Sequence, residues 1–87
     1  MDKITLIADI EGIIEEAYNG DILMAISKIS EVLPVLAQIA DTVSADKKEN
    51  YTNILRLIPE AMESQDGTML GDVLQYELLD NIDEYID

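Results

Sequence analysis

Apolar residues recur every three or four positions along almost the whole chain. That spacing gathers side chains on one face of an α-helix, whereas a half-buried strand would alternate every two. The longest run is Ile22 to Val43, where 14 of 22 residues are apolar and Ile22, Ala25, Ile29, Val32, Leu36, Ile39 and Val43 hold one face. Met24 and Val35 fall beside that face at about 100° per residue, which widens the apolar arc enough to touch two neighbours. This run is expected to be the central helix around which the others pack.

Three more runs flank it. Residues 2–18 place Ile4, Ile7, Ile14 and Tyr18 on one stripe and Leu6, Ile10, Ile13 and Ala17 beside it. Asp2 can cap the start and Asn19-Gly20 the end, and Asp21 is placed to cap the second helix. Asp46, followed three residues later by Glu49, resembles a capping box and opens the third helix, whose stripe is Tyr51, Ile54, Leu55, Ile58, Ala61 and Met62. Asp66-Gly67 breaks the chain again, with Thr68 as the expected cap of a fourth helix that turns Leu70, Val73, Leu74, Leu78, Ile82 and Tyr85 inward. Glu77 and Asn81 fall inside that inward arc. A carboxylate there is either partly exposed or in need of a hydrogen-bond donor, and partial exposure is expected.

Pro34 and Pro59 each remove a helical amide, freeing the carbonyls of Ser30 and Leu55. Continuous apolar spacing on both sides predicts a bend at each proline rather than a break. Connections of two or three residues make consecutive helices hairpin partners. The expected architecture is therefore all-α: an antiparallel four-helix bundle, up-and-down, with helices near 2–18, 21–43, 46–65 and 68–86, in a single domain over residues 1–87. Three helices with a detached end is the alternative.

Charge changes the picture of partners. Nineteen acidic side chains against five basic ones give a net charge of −14, a field that repels nucleic-acid phosphate and anionic lipid headgroups. Direct nucleic-acid or membrane-surface binding is not expected. The first residues lack a basic region and are interrupted by Asp9 and Glu11, so no signal peptide is read. Residues 22–43 carry Lys28, Glu31, Gln38 and Asp41, which a lipid-facing span rarely tolerates. A cytoplasmic protein is expected.

The chain has no Cys and no His. A nucleophile–base–orienter set cannot be assembled without them, and the glycines at 12, 20, 67 and 71 form no phosphate-cradling loop. No catalytic residue, cofactor or metal site is expected. The bundle di-metal pattern needs Glu-x-x-His, and neither Asp66-Gly67-Thr68 nor Asp80-Asn81-Ile82-Asp83 continues into a calcium loop. Acyl carrier proteins share the size, acidity and helix count, but Ser27, Ser30, Ser44 and Ser64 all lack the Asp-Ser-Leu setting of the carrier serine.

What remains is interaction chemistry. The segment Ala61-Met62-Glu63-Ser64-Gln65-Asp66, then Leu70, then Asp72-Val73-Leu74-Gln75-Tyr76-Glu77-Leu78 resembles the end of a family of small uncharacterised proteins from Gram-positive Firmicutes, roughly LENxDxxxLxDxLEYEL. Met62, Ser64 and Gln75 depart from that pattern. The resemblance implies no activity. It implies that Asp66, Asp72, Tyr76 and Glu77 matter for binding a partner, or else for capping and packing.

At about 100° per residue Tyr76 points away from the Leu70–Leu74–Leu78 seam towards Asp72, an aromatic beside a carboxylate as interface cores favour. The expected function is a non-enzymatic protein–protein interaction module, an adaptor or small chaperone-like regulator with an unidentified protein partner. The alternative is an acidic inhibitor that imitates a phosphate track with Asp72, Asp80, Asp83 and Asp87 and occupies a basic nucleic-acid-binding surface. Surplus apolar width on the first two helices, at Leu6, Ile13, Met24 and Val35, predicts a homodimer.

Overall fold

The structure, a computed structural model, describes residues 2–86. Helix α1 spans Lys3–Tyr18, α2 Ile22–Ile39, α3 Ala45–Ser64 and α4 Gly67–Asp72. The last of these runs on through a π-helical stretch at Val73–Leu78 and a 3-10 turn at Leu79–Asn81 into α5 at Ile82–Tyr85. All described residues are helical or in short connections, with no strand among them.

Local chemistry explains most of the boundaries. The Asp2 carboxylate accepts from the Thr5 amide at 2.8 Å, as its place before the first turn predicts. At the end of α1 the Asp21 amide donates to the Glu16 carbonyl and the Gly20 amide to that of Ala17, and Gly20 takes φ +85. That double bond over a left-handed residue closes the last turn. The same pair of bonds ends α3, where Asp66 donates to Ala61 and Gln65 to Met62, but Gln65 rather than a glycine holds the left-handed conformation at φ 52.

Three expected caps are corrected. Asp21 stands at the N-cap of α2 without a side-chain capping bond. Ser44 rather than Asp46 precedes α3, its hydroxyl donating to the Asp46 carboxylate at 2.7 Å. Asp66 rather than Thr68 caps α4, accepting from the Met69 amide at 3.0 Å. The last two corrections each move a cap by two residues, because neighbouring polar side chains compete for the same unpaired amides.

Helix α2 departs most from expectation. It runs unbroken through Pro34, as α3 does through Pro59, but it ends at Ile39 rather than Val43. The Asp41 and Thr42 amides fall back onto Gln38 and Ile39 in tighter turns, and the buried Tyr51 hydroxyl donates 2.7 Å to the carbonyl of Leu36 in its last turn. α2 is also not central. Only Ala25, Ile29, Val32 and Leu36 of its side chains are buried, and Leu23 and Met24 stand open to solvent. By length and composition α2 could cross a membrane, at a mean hydropathy of 1.6.

The middle of the molecule belongs instead to α1, which packs against α2, α4 and the π stretch. Its buried face is Leu6, Ile10, Ile13, Ile14 and Ala17, while Ile4 and Tyr18 of the other expected stripe are exposed. This overturns part of the dimer expectation, because Leu6 and Ile13 are consumed by the protein's own core. Val35 is half-buried against that core as well, which leaves Met24 alone of the four as an open side chain.

The π stretch resolves the oddity of Glu77 and Asn81. A π turn closes its hydrogen bond over i→i+5 and so admits one extra residue, which sets back the phase of everything after it by about 100°. Glu77 is thereby carried out to solvent and Asn81 to the edge of the core, while Ile82 and Tyr85 are brought in. Asn81 is put to use there. Its amide donates to the carbonyls of Tyr76 and Glu77, at 3.3 and 3.1 Å, where the helix type changes.

Candidate functional site

The two reversals that end α1 and α3 meet at one end of the molecule. A methyl group on Gly67 would lie 2.5 Å from the Ala17 carbonyl oxygen, so the start of α4 can approach α1 backbone to backbone only as glycine. The reversals enclose a wide, open concavity of about 500 Å3 that includes Tyr18, Gly20, Gln65 and Asp66.

One turn further along, Gly71 performs a second close approach. A methyl there would lie 2.5 Å from Cε1 of Tyr18, so the tyrosine ring rests on the bare backbone of α4. In that position its hydroxyl donates 2.6 Å to Oδ1 of Asp72, a short charge-assisted bond. The bond keeps the proton on the phenol. The Tyr18 pKa is pushed up to about 12, first by the hydrogen bond to Asp72, then by desolvation and by the nearby Asp72 and Tyr76. Tyr18 therefore acts as a neutral donor that orients a carboxylate.

Tyr76 completes the face. It is 61% exposed, against 45% for Tyr18, and it lies close enough to Tyr18 to contribute to that shift. The arrangement is two partly open aromatic rings around an oriented carboxylate. Chemically it can stack, donate and accept, and it holds a negative charge. Among the described residues no three acidic side chains are placed to hold a metal ion.

The four residues suggested for partner binding are thus not one site. Asp72 and Tyr76 are brought together. Asp66 lies nearby, but its carboxylate is engaged in capping α4. Glu77 is exposed and borders a polar groove with Asn53, Arg56 and Tyr85, where burial leads in pushing the Tyr85 phenol up and Glu84 and Glu77 add to it. Met24 and Val35 lie on α2, apart from this face by element.

Sequence reasoning missed Tyr18 and Gly71. By spacing Tyr18 falls on an apolar stripe of α1, and only the position of a tyrosine at the last turn before Asn-Gly hints otherwise. Gly71, inside an expected helix, carried the better signal, since an interior glycine often marks close backbone approach.

The row of aspartates on the last helix is broken up. Asp72 receives Tyr18, Asp80 receives the Gln75 amide at 3.0 Å and Asp83 pairs with Lys3 at 2.6 Å, while Asp87 lies outside the described residues.

Residues 5–87 match the pattern of a family described as a domain of unknown function, DUF8042. This agrees with the resemblance at the level of an uncharacterised family. No curated protein and no solved structure matches the chain.

Proposed function

We propose that this chain, which belongs to the DUF8042 family, is a non-enzymatic protein–protein interaction module whose binding face is built on Tyr18, Asp72 and Tyr76. The observation that carries the reading is the wide exposure of Tyr76 beside a carboxylate already oriented by Tyr18. An aromatic ring left in water costs stability that a partner can return on binding, and tyrosine gives contact area with little loss of rotamer freedom. The same reading takes the helices as an antiparallel up-and-down bundle bent at Pro34 and Pro59, working as an adaptor or small regulator in a bacterial cytoplasm. Short connections at 19–21 and 65–66 and the two missing proline amides support that arrangement.

Affinity capture from native lysate tests the function. Tyr76→Ala and Asp72→Lys are expected to lose a partner that wild type and Asp41→Lys retain. Asp41 is the control because it is exposed and lies on the α2–α3 connection, whereas Asp83 is tied to Lys3. A captured set identical for all four proteins would overturn the reading, as would unfolding of Tyr76→Ala in circular dichroism.

A further inference from the structure

We infer that the Tyr18–Asp72–Tyr76 face receives an arginine side chain from a basic segment of the partner. This names the chemistry of the partner and rests on the interaction reading above.

The argument begins with the distribution of positive charge. Lys3, Lys28, Lys47 and Arg56 are engaged by Asp83, Glu16, Glu84 and Glu60. Asp72 has no cation among the described residues, yet its carboxylate is fixed in direction by a 2.6 Å hydrogen bond to one oxygen. The other oxygen receives no hydrogen bond from the described residues. A carboxylate held in place and lacking a counter-ion, in a molecule of net charge −14, complements a cation rather than an acidic or neutral segment.

The rings decide which cation. Guanidinium is planar, weakly hydrated and able to stack on an aromatic face while its edge donates to a carboxylate; ammonium is a compact, strongly hydrated point charge. Any of the molecule's other open carboxylates would serve a lysine as well as Asp72 does. Among the described residues, only here does an oriented carboxylate stand beside two open rings. Tyr18 is moreover held against Gly71, so part of the ordering is done before the partner arrives.

The test titrates the full-length protein with a blocked nonapeptide in which arginine alternates with glycine, and with its lysine counterpart of equal charge. Tyrosine ring resonances are followed by NMR at about 0.15 M salt, where exposed charges more than about 8 Å apart are screened. The arginine peptide is expected to shift Tyr18 and Tyr76 saturably, about two- to fivefold more tightly than the lysine peptide, and to leave Tyr51 and Tyr85 in place. Asp72→Asn should weaken it about tenfold. Tyr18→Phe, which keeps the ring and loses the hydroxyl that orients Asp72, should weaken it less.

Equal response to both peptides, or shifts that bypass Tyr18 and Tyr76, would overturn the inference. Failure here with Tyr76-dependent capture intact removes the arginine and leaves the interaction module. Saturable arginine binding with no Tyr76-dependent capture removes the module as proposed and leaves the receptor chemistry.

Discussion

Two pairs of tyrosines lie towards opposite ends of α1, and the same residue type does opposite work in each. Near the start of α1, Tyr51 and Tyr85 are buried with ring centroids 5.0 Å apart at 58°, and the Tyr51 hydroxyl closes the last turn of α2 through the Leu36 carbonyl. At the other end Tyr18 and Tyr76 stay open, and the Tyr18 hydroxyl is spent on a solvent-facing carboxylate. Tyr18 and Tyr51 are both pushed up to about 12, yet a hydrogen bond to Asp72 leads in the first and burial leads in the second. The lesson is that a perturbed phenol marks neither core nor site until its cause is known.

The sharpest way to break this contrast is to truncate one ring at each end. Tyr51→Ala should cost about 3–5 kcal/mol, as removal of a fully buried aromatic does, in denaturant unfolding followed by circular dichroism. Tyr51→Phe should cost about 1–3 kcal/mol, because it keeps the ring and strands a buried carbonyl. Tyr76→Ala should unfold at nearly the wild-type denaturant concentration. Were Tyr76→Ala to fall as far as Tyr51→Ala, the open end would be core after all.

The two glycines of α4 offer a finer version. Gly67→Ala drives a methyl against backbone that cannot move aside, so a loss of about 1–3 kcal/mol is expected. Gly71→Ala meets the far end of a side chain, which can swing away. Its stability should change by no more than about 1 kcal/mol, since alanine favours the helix over glycine by about that amount. Arginine-peptide binding should nonetheless weaken, because the ring that orients Asp72 has been displaced. Equal destabilisation by both substitutions would show that Tyr18 is locked in place.

Alkaline titration is the gentlest probe. In both Tyr18 and Tyr51 the folded state holds the phenolic proton more tightly than the unfolded chain, whose value is near 10. The stability this supplies is complete below pH 10 and is lost as pH rises towards about 12. The tyrosinate absorbance of Tyr51 should grow together with loss of helix, whereas that of exposed Tyr18 should grow on the folded molecule. Identical effects of Tyr51→Phe and Tyr18→Phe on the alkaline loss of helix would erase the distinction.

That the chain forms four helical runs was legible in the spacing, because the apolar period survives every local complication from Leu6 to Leu74, while the π and 3-10 turns beyond showed only as Glu77 and Asn81 in the inward arc. The Asp2 cap and the Asn19-Gly20 reversal were legible too, since a capping aspartate and a left-handed glycine act locally. Which of two adjacent stripes on α1 faces inward was not. Ile4 is as apolar as Ile10 and Ile13, and only the positions of α2 and α4 decide between them. The rank of α2 was misjudged for a related reason, because apolar content records what a helix can bury rather than what its neighbours cover. At the site, Asp72 and Tyr76 could be singled out from one helical face. Tyr18 could not, being 54 residues from its hydrogen-bond partner.

The π stretch from Val73 to Leu78 makes residue number itself a structural quantity. In a connection such as 40–44 the loss of one residue shortens a loop. In the π stretch it would let the helix close over the ordinary span, and because the residue lost and the setback lost cancel, all that follows would keep its facing. Ile82 and Tyr85 would stay in the core, and Tyr51 would keep the ring it packs against. One residue lost from the ordinary turns of α3 would instead turn everything after it in that helix by about 100°, doing the damage of several simultaneous core substitutions without changing the chemistry of any side chain.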